Sequence, residues 1–177
     1  TGRRQPPIIM GHEAAGIITK VGAGVTEWKT GDRVTFDSTV YCGECAYCKQ
    51  GRVNLCENRR VLGVSCDDYR QHGAFAEFIS VPERILYRIP DGVPYEHAAM
   101  VEPVSVALHA VSHASFVTND SAVVIGAGMI GLLIVQVLRA HGYDQITAVD
   151  VDESRLQLAM QCGAHFTLNP SRIDVPT

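Results

Sequence analysis

The 177 residues predict an α/β chain, with a doubly wound parallel sheet in the second half and short strands in the first. Three observations carry that prediction. In SAVVIGAGMIG, residues 121–131, an apolar run meets a glycine-rich turn and a helical pattern follows at once. Residues 129–140 read as a helix ending at Gly142, and 146–149 as a second strand ending in Asp150. Ahead of residue 121, apolar runs are short and broken by glycines, and four cysteines crowd into one loop.

Composition narrows the classes. A hydrophobic content of 46% is ordinary for a chain with a packed core, and the length suits one large domain or two small ones. The net charge of −4, with no basic cluster, argues against nucleic acid as the main partner. No apolar run is long enough to span a bilayer. The cysteines cluster beside a nucleotide motif of cytosolic type, so metal binding is favoured over disulfides and a cytoplasmic setting is expected.

From the start of the chain, Pro6–Pro7 suggests a turn into an extended segment at residues 8–10. GHEAAG (11–16) leads to an apolar, β-branched run at 17–21, read as a strand, and Gly31 and Asp32 turn the chain into another strand at 33–36. His12 and Glu13 stand side by side, and both are possible zinc ligands. A buried, hydrogen-bonded histidine beside a surface carboxylate is the competing reading.

Cys42, Cys45, Cys48 and Cys56 lie in YCGECAYCKQGRVNLC. Four thiolates close a tetrahedral zinc shell with no open position, which makes a structural site. An iron–sulfur cluster is the rival, but its bacterial pattern places the next cysteine after three residues and then a proline; here seven intervene and Glu57 follows. Lys49 and Arg52 can offset the charge of a tetrathiolate, and Cys66 and Cys162 read as isolated core or surface thiols. Residues 73–81, GAFAEFISV, alternate like a strand, and 95–100 form a short helical piece. Glu102 precedes Pro103 in apolar surroundings, as a capping or surface glutamate or a buried one with a partner. A helical pattern resumes at 104–112, on which His109 and His113 read as ordinary packed or solvated residues. His72 has no evident partner.

In the glycine-rich turn, Gly126 permits the tight bend, Gly128 lets the backbone approach a pyrophosphate, and Gly131 lets helix and strand pack closely. The helix N-terminus offers free N–H groups to the anion. Asp150, about twenty residues on, is placed for the ribose hydroxyls and against a 2′-phosphate, so NAD is favoured over NADP. A third strand is expected at 166–168.

GHEAAG, GDRV, the four-cysteine loop, GAFAEF, EPVSVALHA and GAGMIG occur in the order and spacing of the zinc-containing medium-chain dehydrogenases, which the chain resembles over essentially its whole length. MVEPVSVALHA is most similar to the sorbitol (L-iditol) and related polyol dehydrogenase branch. The resemblance implies a partial GroES-like β-barrel catalytic domain over residues 1–112, with a zinc lobe at 41–57, and a truncated Rossmann NAD-binding domain over 113–177. It implies His12, Glu13 and Glu102 around a catalytic zinc, the four cysteines on a structural zinc, and Ile130 against the cofactor. Arg155 is similar to a family arginine near the adenosine, or is a solvated helix residue. The implied activity is hydride transfer from a secondary alcohol of a polyol or sugar derivative to NAD, in a homo-oligomer, dimer or tetramer. Threonine 3-dehydrogenase-like oxidation of an amino-alcohol and a non-catalytic zinc- and nucleotide-binding module are the alternatives. The family's further zinc ligand, a cysteine followed by Ser-Asp upstream of GHE, has no counterpart between Thr1 and Met10, so an internal fragment of a longer enzyme is expected.

Overall fold

The computed structural model describes residues 6–64, 66, 70–114 and 120–172. The chain divides into two units, Thr1–Glu102 and Pro103–Thr177.

Among its described residues the first unit carries six short strands: β1 (Ala15–Ile17), β2 (Arg33–Phe36), β3 (Thr39–Val40), β4 (Arg60–Leu62), β5 (Arg70–Gln71) and β6 (Leu86–Arg88). An antiparallel sheet has the order β1-β2-β6, with Gly16 opposite Val34 and Thr35 opposite Tyr87. A smaller sheet has the order β3-β4-β5, antiparallel and then parallel. Their apolar faces enclose Phe36, Leu62 and Ile85, against which Ala14, Val40, Ala74 and Val81 pack. Among its described residues the unit also carries the α-helices α1 (Ala46–Lys49) and α2 (Tyr95–Ala99), and 3-10 turns at Val53–Leu55 and Glu83–Ile85.

Two expectations are corrected here. The strand expected at 17–21 occupies Ala15–Ile17 instead. Pairing beyond it dwindles to Ile18 N–H donating to Asp32 and Gly31 N–H donating to Ile18, where Gly31 turns at φ +95°. Residues 73–81 form no strand. Gly73, Ala74 and Phe75 donate to Ile9, Gly11 and Met10, which are themselves irregular. The segment instead runs along a groove of about 570 Å³, which Ala74 and the consecutive residues from Ala76 to Val81 line together with Ile17 and Val21.

The second unit is a βαβαβ run. It contains α3 (Val101–Ser112, whose first two residues fall in the first unit), β7 (Ser121–Ile125), α4 (Met129–Ala140), β8 (Gln145–Val149), α5 (Glu153–Gln161) and β9 (Phe166–Leu168). The three strands are parallel in the order β7-β8-β9, with Val124 beside Ala148 and Val149 beside Leu168. Buried Ile146 and Ala148 on the sheet meet Val135 and Leu138 of α4 and Leu156 and Ala159 of α5. Val111 of α3 packs into this same core, so the division between units runs through the head of α3, ahead of the expected 112/113 boundary. Helix α4 stops because Gly142 adopts φ +88° while Gly142 and Tyr143 donate back to Arg139 and Leu138, a glycine-terminated helix end.

Candidate active site and zinc centre

Three constellations with chemical content are formed. In the cysteine loop, Cys42, Cys45, Cys48 and Cys56 bring their sulfurs within 4.8 Å of one another. Cys42 and Cys48 Sγ are 4.0 Å apart, far beyond a disulfide bond and close to the separation of about 3.8 Å that tetrahedral zinc–sulfur bonds require. The loop aims its amides inward: Glu44 and Cys45 N–H donate to Cys42 Sγ, each at 3.4 Å, and Cys42 N–H donates to Cys56 Sγ at 3.2 Å. Those two amides bring the Cys42 thiol down to about 6, whereas burial pushes Cys48 up to about 12. A donor set of four convergent sulfurs fits a structural zinc. Arg52 lies over the Tyr47 ring, 5.7 Å from its centroid.

His12, Glu13 and Glu102 form the second constellation. One ligand-type atom from each lies within 4.8 Å of the others, although ninety residues separate His12 from Glu102. His12 Nε2 and Glu13 Oε1 are 4.0 Å apart. Glu102 enters on the first turn of α3. Burial raises its carboxyl above the ordinary range; His12 opposes that shift, and Glu13 and Asp37 reinforce it. Two carboxylates and an imidazole held this close leave negative charge in a partly desolvated place, which suits a divalent cation.

Sequence reasoning missed what holds this constellation together. The hydroxyl of Ser38, a buried residue between β2 and β3, donates to Glu102. His12 is aimed by a crossing of three glycines. Gly11 has φ +96°; a Cβ on Gly73 would lie 2.1 Å from the Gly11 carbonyl oxygen, and one on Gly63 would lie 2.6 Å from the Gly11 nitrogen. His72, expected to lack a partner, accepts from Ile9 N–H at 3.1 Å through Nδ1 and steadies the same segment. A glycine alone at three scattered positions carries no signal that the three meet.

The third constellation is the turn between β7 and α4. Gly126 sits at φ +93°, and a Cβ on Gly131 would lie 1.8 Å from the Gly126 carbonyl oxygen. Nothing lies within 4 Å of a Cβ placed on Gly128, the residue that starts α4, so the backbone there is open to an anion. Ile130, one residue into α4, is half-buried. Asp150 closes β8 and reaches across to the turn. Its carboxylate accepts from Ala127 N–H at 2.7 Å and Asp152 N–H at 2.9 Å, and Arg155 Nη1 lies 3.8 Å away. The Asp152 and Ala127 amides hold Asp150 below the usual carboxylate range. Asp152 caps α5 by accepting from the Ser154 and Arg155 amides. These residues fit a dinucleotide phosphate and ribose.

Among the described residues, no helix is long and apolar enough to cross a membrane. Residues 1–91 match the family model for the alcohol dehydrogenase GroES-like domain, and residues 129–177 match the zinc-binding dehydrogenase model. The chain is 38% identical to D-xylulose reductase A of Aspergillus oryzae over 167 residues, 94% of this chain and 46% of that protein. It is 38% identical to L-threonine 3-dehydrogenase of Symbiobacterium thermophilum over 98% of this chain and 48% of that one. The crystal structure of galactitol-1-phosphate dehydrogenase from Escherichia coli superposes with a TM-score of 0.88 at 36% identity, covering 98% of this chain and 49% of that chain. The chain thus spans about half the length of the relatives it matches. With a GroES-like first half, a partial Rossmann second half and a four-cysteine cluster suited to zinc, it belongs to the zinc-containing medium-chain alcohol dehydrogenase family, whose cofactor is NAD(P).

Proposed function

We propose that this chain serves a zinc- and NAD-dependent dehydrogenase that takes hydride from a secondary alcohol of a polyol or sugar derivative. The observation that carries this reading is the convergence of His12, Glu13 and Glu102. Zinc, when bound, supplies Lewis-acid polarisation of an alcohol oxygen. His12 offers an imidazole nitrogen, Glu13 and Glu102 offer hard oxygen donors, and Ser38 orients Glu102 by its hydrogen bond. Burial opposes ionisation of Glu102, so this carboxylate responds strongly to a cation placed beside it.

On the nucleotide side, the open backbone at Gly128, framed by Gly126 and Gly131, receives the pyrophosphate. Ile130 packs against the cofactor, Asp150 binds the ribose hydroxyls and repels a 2′-phosphate, and Arg155 borders the adenosine. Polyol or sugar-alcohol chemistry is supported by the names of two relatives, D-xylulose reductase and galactitol-1-phosphate dehydrogenase. Oxidation of an amino-alcohol is the second reading, favoured by equal identity to L-threonine 3-dehydrogenase over slightly more of the chain. The reading also carries a cytoplasmic protein that works as a dimer or tetramer.

The test is NADH production from xylitol, sorbitol and threonine, with metal content measured in parallel. Glu102→Gln is expected to lower activity about 10–100-fold and to reduce zinc from two ions per chain towards one. Activity indifferent to both Glu102→Gln and chelation sinks the zinc-dependent reading. Activity on threonine alone sinks the polyol assignment and leaves the zinc chemistry standing.

A further inference from the structure

We propose that His109 and His113 form a further transition-metal site, a two-nitrogen chelate at the carboxyl end of α3 for a borderline divalent cation such as Ni²⁺, Cu²⁺ or Zn²⁺. Expected to be ordinary packed or solvated histidines, the two are exposed and face each other. Their Nε2 atoms are 3.1 Å apart and their ring centroids 4.5 Å apart, with the ring planes near perpendicular at 81°. The spacing i, i+4 places both rings on one helix face. Metal–imidazole bonds of about 2.0–2.1 Å, meeting at angles between square-planar and tetrahedral values, set two nitrogens roughly 2.9–3.4 Å apart. The observed separation falls inside that window, so the pair has the bite of a chelate before any ion arrives.

This separation is a hydrogen bond between the two Nε2 atoms in which either ring can be the donor, according to tautomer. A cation takes the place of that proton: the donor ring moves its hydrogen to Nδ1, both Nε2 lone pairs turn to the metal, and no net proton is released. Charge favours the exchange. α3 ends at Ser112, so the negative end of its dipole lies towards His113. No lysine or arginine lies between Val101 and Ala114. Ser112 Oγ already donates to the His109 carbonyl and reinforces the last turn that sets the spacing. Glu102 sits at the opposite end of the helix, about 10 Å away along the axis, so the pair draws on none of the donors assigned to the proposed active site.

The experiment is calorimetric titration of the zinc-loaded chain with Ni²⁺, run on the wild type and on His109→Gln and His113→Gln. Glutamine keeps exposed helical positions folded, and circular dichroism checks that it has. The wild type is expected to take up one further Ni²⁺ per chain, with each variant binding at least about tenfold more weakly because a single arm loses the chelate advantage. Zinc content is expected to be the same in all three. No further equivalent in the wild type, or equal affinity in the wild type and both variants, overturns the proposal. Uptake by displacement of zinc from the cysteines falls in the second case, since it leaves the variants unaffected. NADH production is independent of the pair, so failure here leaves the dehydrogenase reading untouched.

Discussion

Single carboxylates show how differently the fold uses the same group. Asp32 is buried, accepts from Lys29 N–H at 3.0 Å and pairs with Arg88 at 3.2 Å. The Lys29 amide, more than Arg88, holds its pKa below the ordinary carboxylate value. A depressed folded value means that Asp32 stabilises the native state fully above its unfolded pKa, and that the contribution disappears as pH falls through the folded value. Asp32→Asn is therefore expected to lower the urea midpoint at pH 7, with that cost shrinking progressively as pH falls below the ordinary carboxylate pKa of about 3.9; a cost that does not shrink with acidification contradicts this. Asp150 works at the other end of the chain, tied to the glycine-rich turn through Ala127 N–H. Replacing it with alanine is expected to weaken NAD binding about tenfold or more, as loss of a charge-assisted hydrogen bond should, and to raise NADP affinity relative to NAD. An unchanged NADP/NAD ratio of dissociation constants separates Asp150 from cofactor choice.

At the scale of elements, glycine contacts separate positions that tolerate a methyl group from those that do not. Gly24 has no atom within 4 Å of a built Cβ, while Gly73 meets the Gly11 carbonyl at 2.1 Å. Gly73→Ala is expected to cost on the order of 1–3 kcal/mol by forcing backbone apart, whereas Gly24→Ala stays within about 0.5 kcal/mol of wild type. Denaturation midpoints of the two variants check the contrast, and equal midpoints defeat it. The βαβαβ run was legible because its signals are local: 129–140, 146–149 and 166–168 carry their periodicity and stop residues within their own segments. The segment at 73–81 departs from its alternating pattern because a strand also needs a paired neighbour: Gly73, Ala74 and Phe75 bond only to the irregular residues Ile9, Gly11 and Met10, and consecutive side chains from Ala76 to Val81 line the groove. The crossing of Gly11, Gly63 and Gly73 was illegible, being a long-range meeting of residues whose type says only that space is short.

Across the whole molecule, the candidate site residues are proposed chiefly on the ordered set of motifs, since His12 and Glu13 alone read as well as a buried histidine beside a surface acid. Ser38 offered no motif and emerged only from the turn between β2 and β3. The helical turns of the cysteine loop bury none of their residues, and Cys56 is the fully buried residue beside them. Its order is therefore expected to depend on metal: chelation should expose Lys49 and Arg52 to trypsin, while amide protection in Val123–Ile125 and Ile146–Val149 stays unchanged. Loss of protection in those strands on chelation contradicts a loop whose metal acts locally. The three-glycine crossing leaves a mark on how this protein can change over generations. A rotamer can be re-chosen by one substitution, but three main chains in van der Waals contact offer no such freedom. A side chain added at Gly73 or Gly63 must therefore displace the Gly11 backbone, and the approach of the imidazole shifts with it.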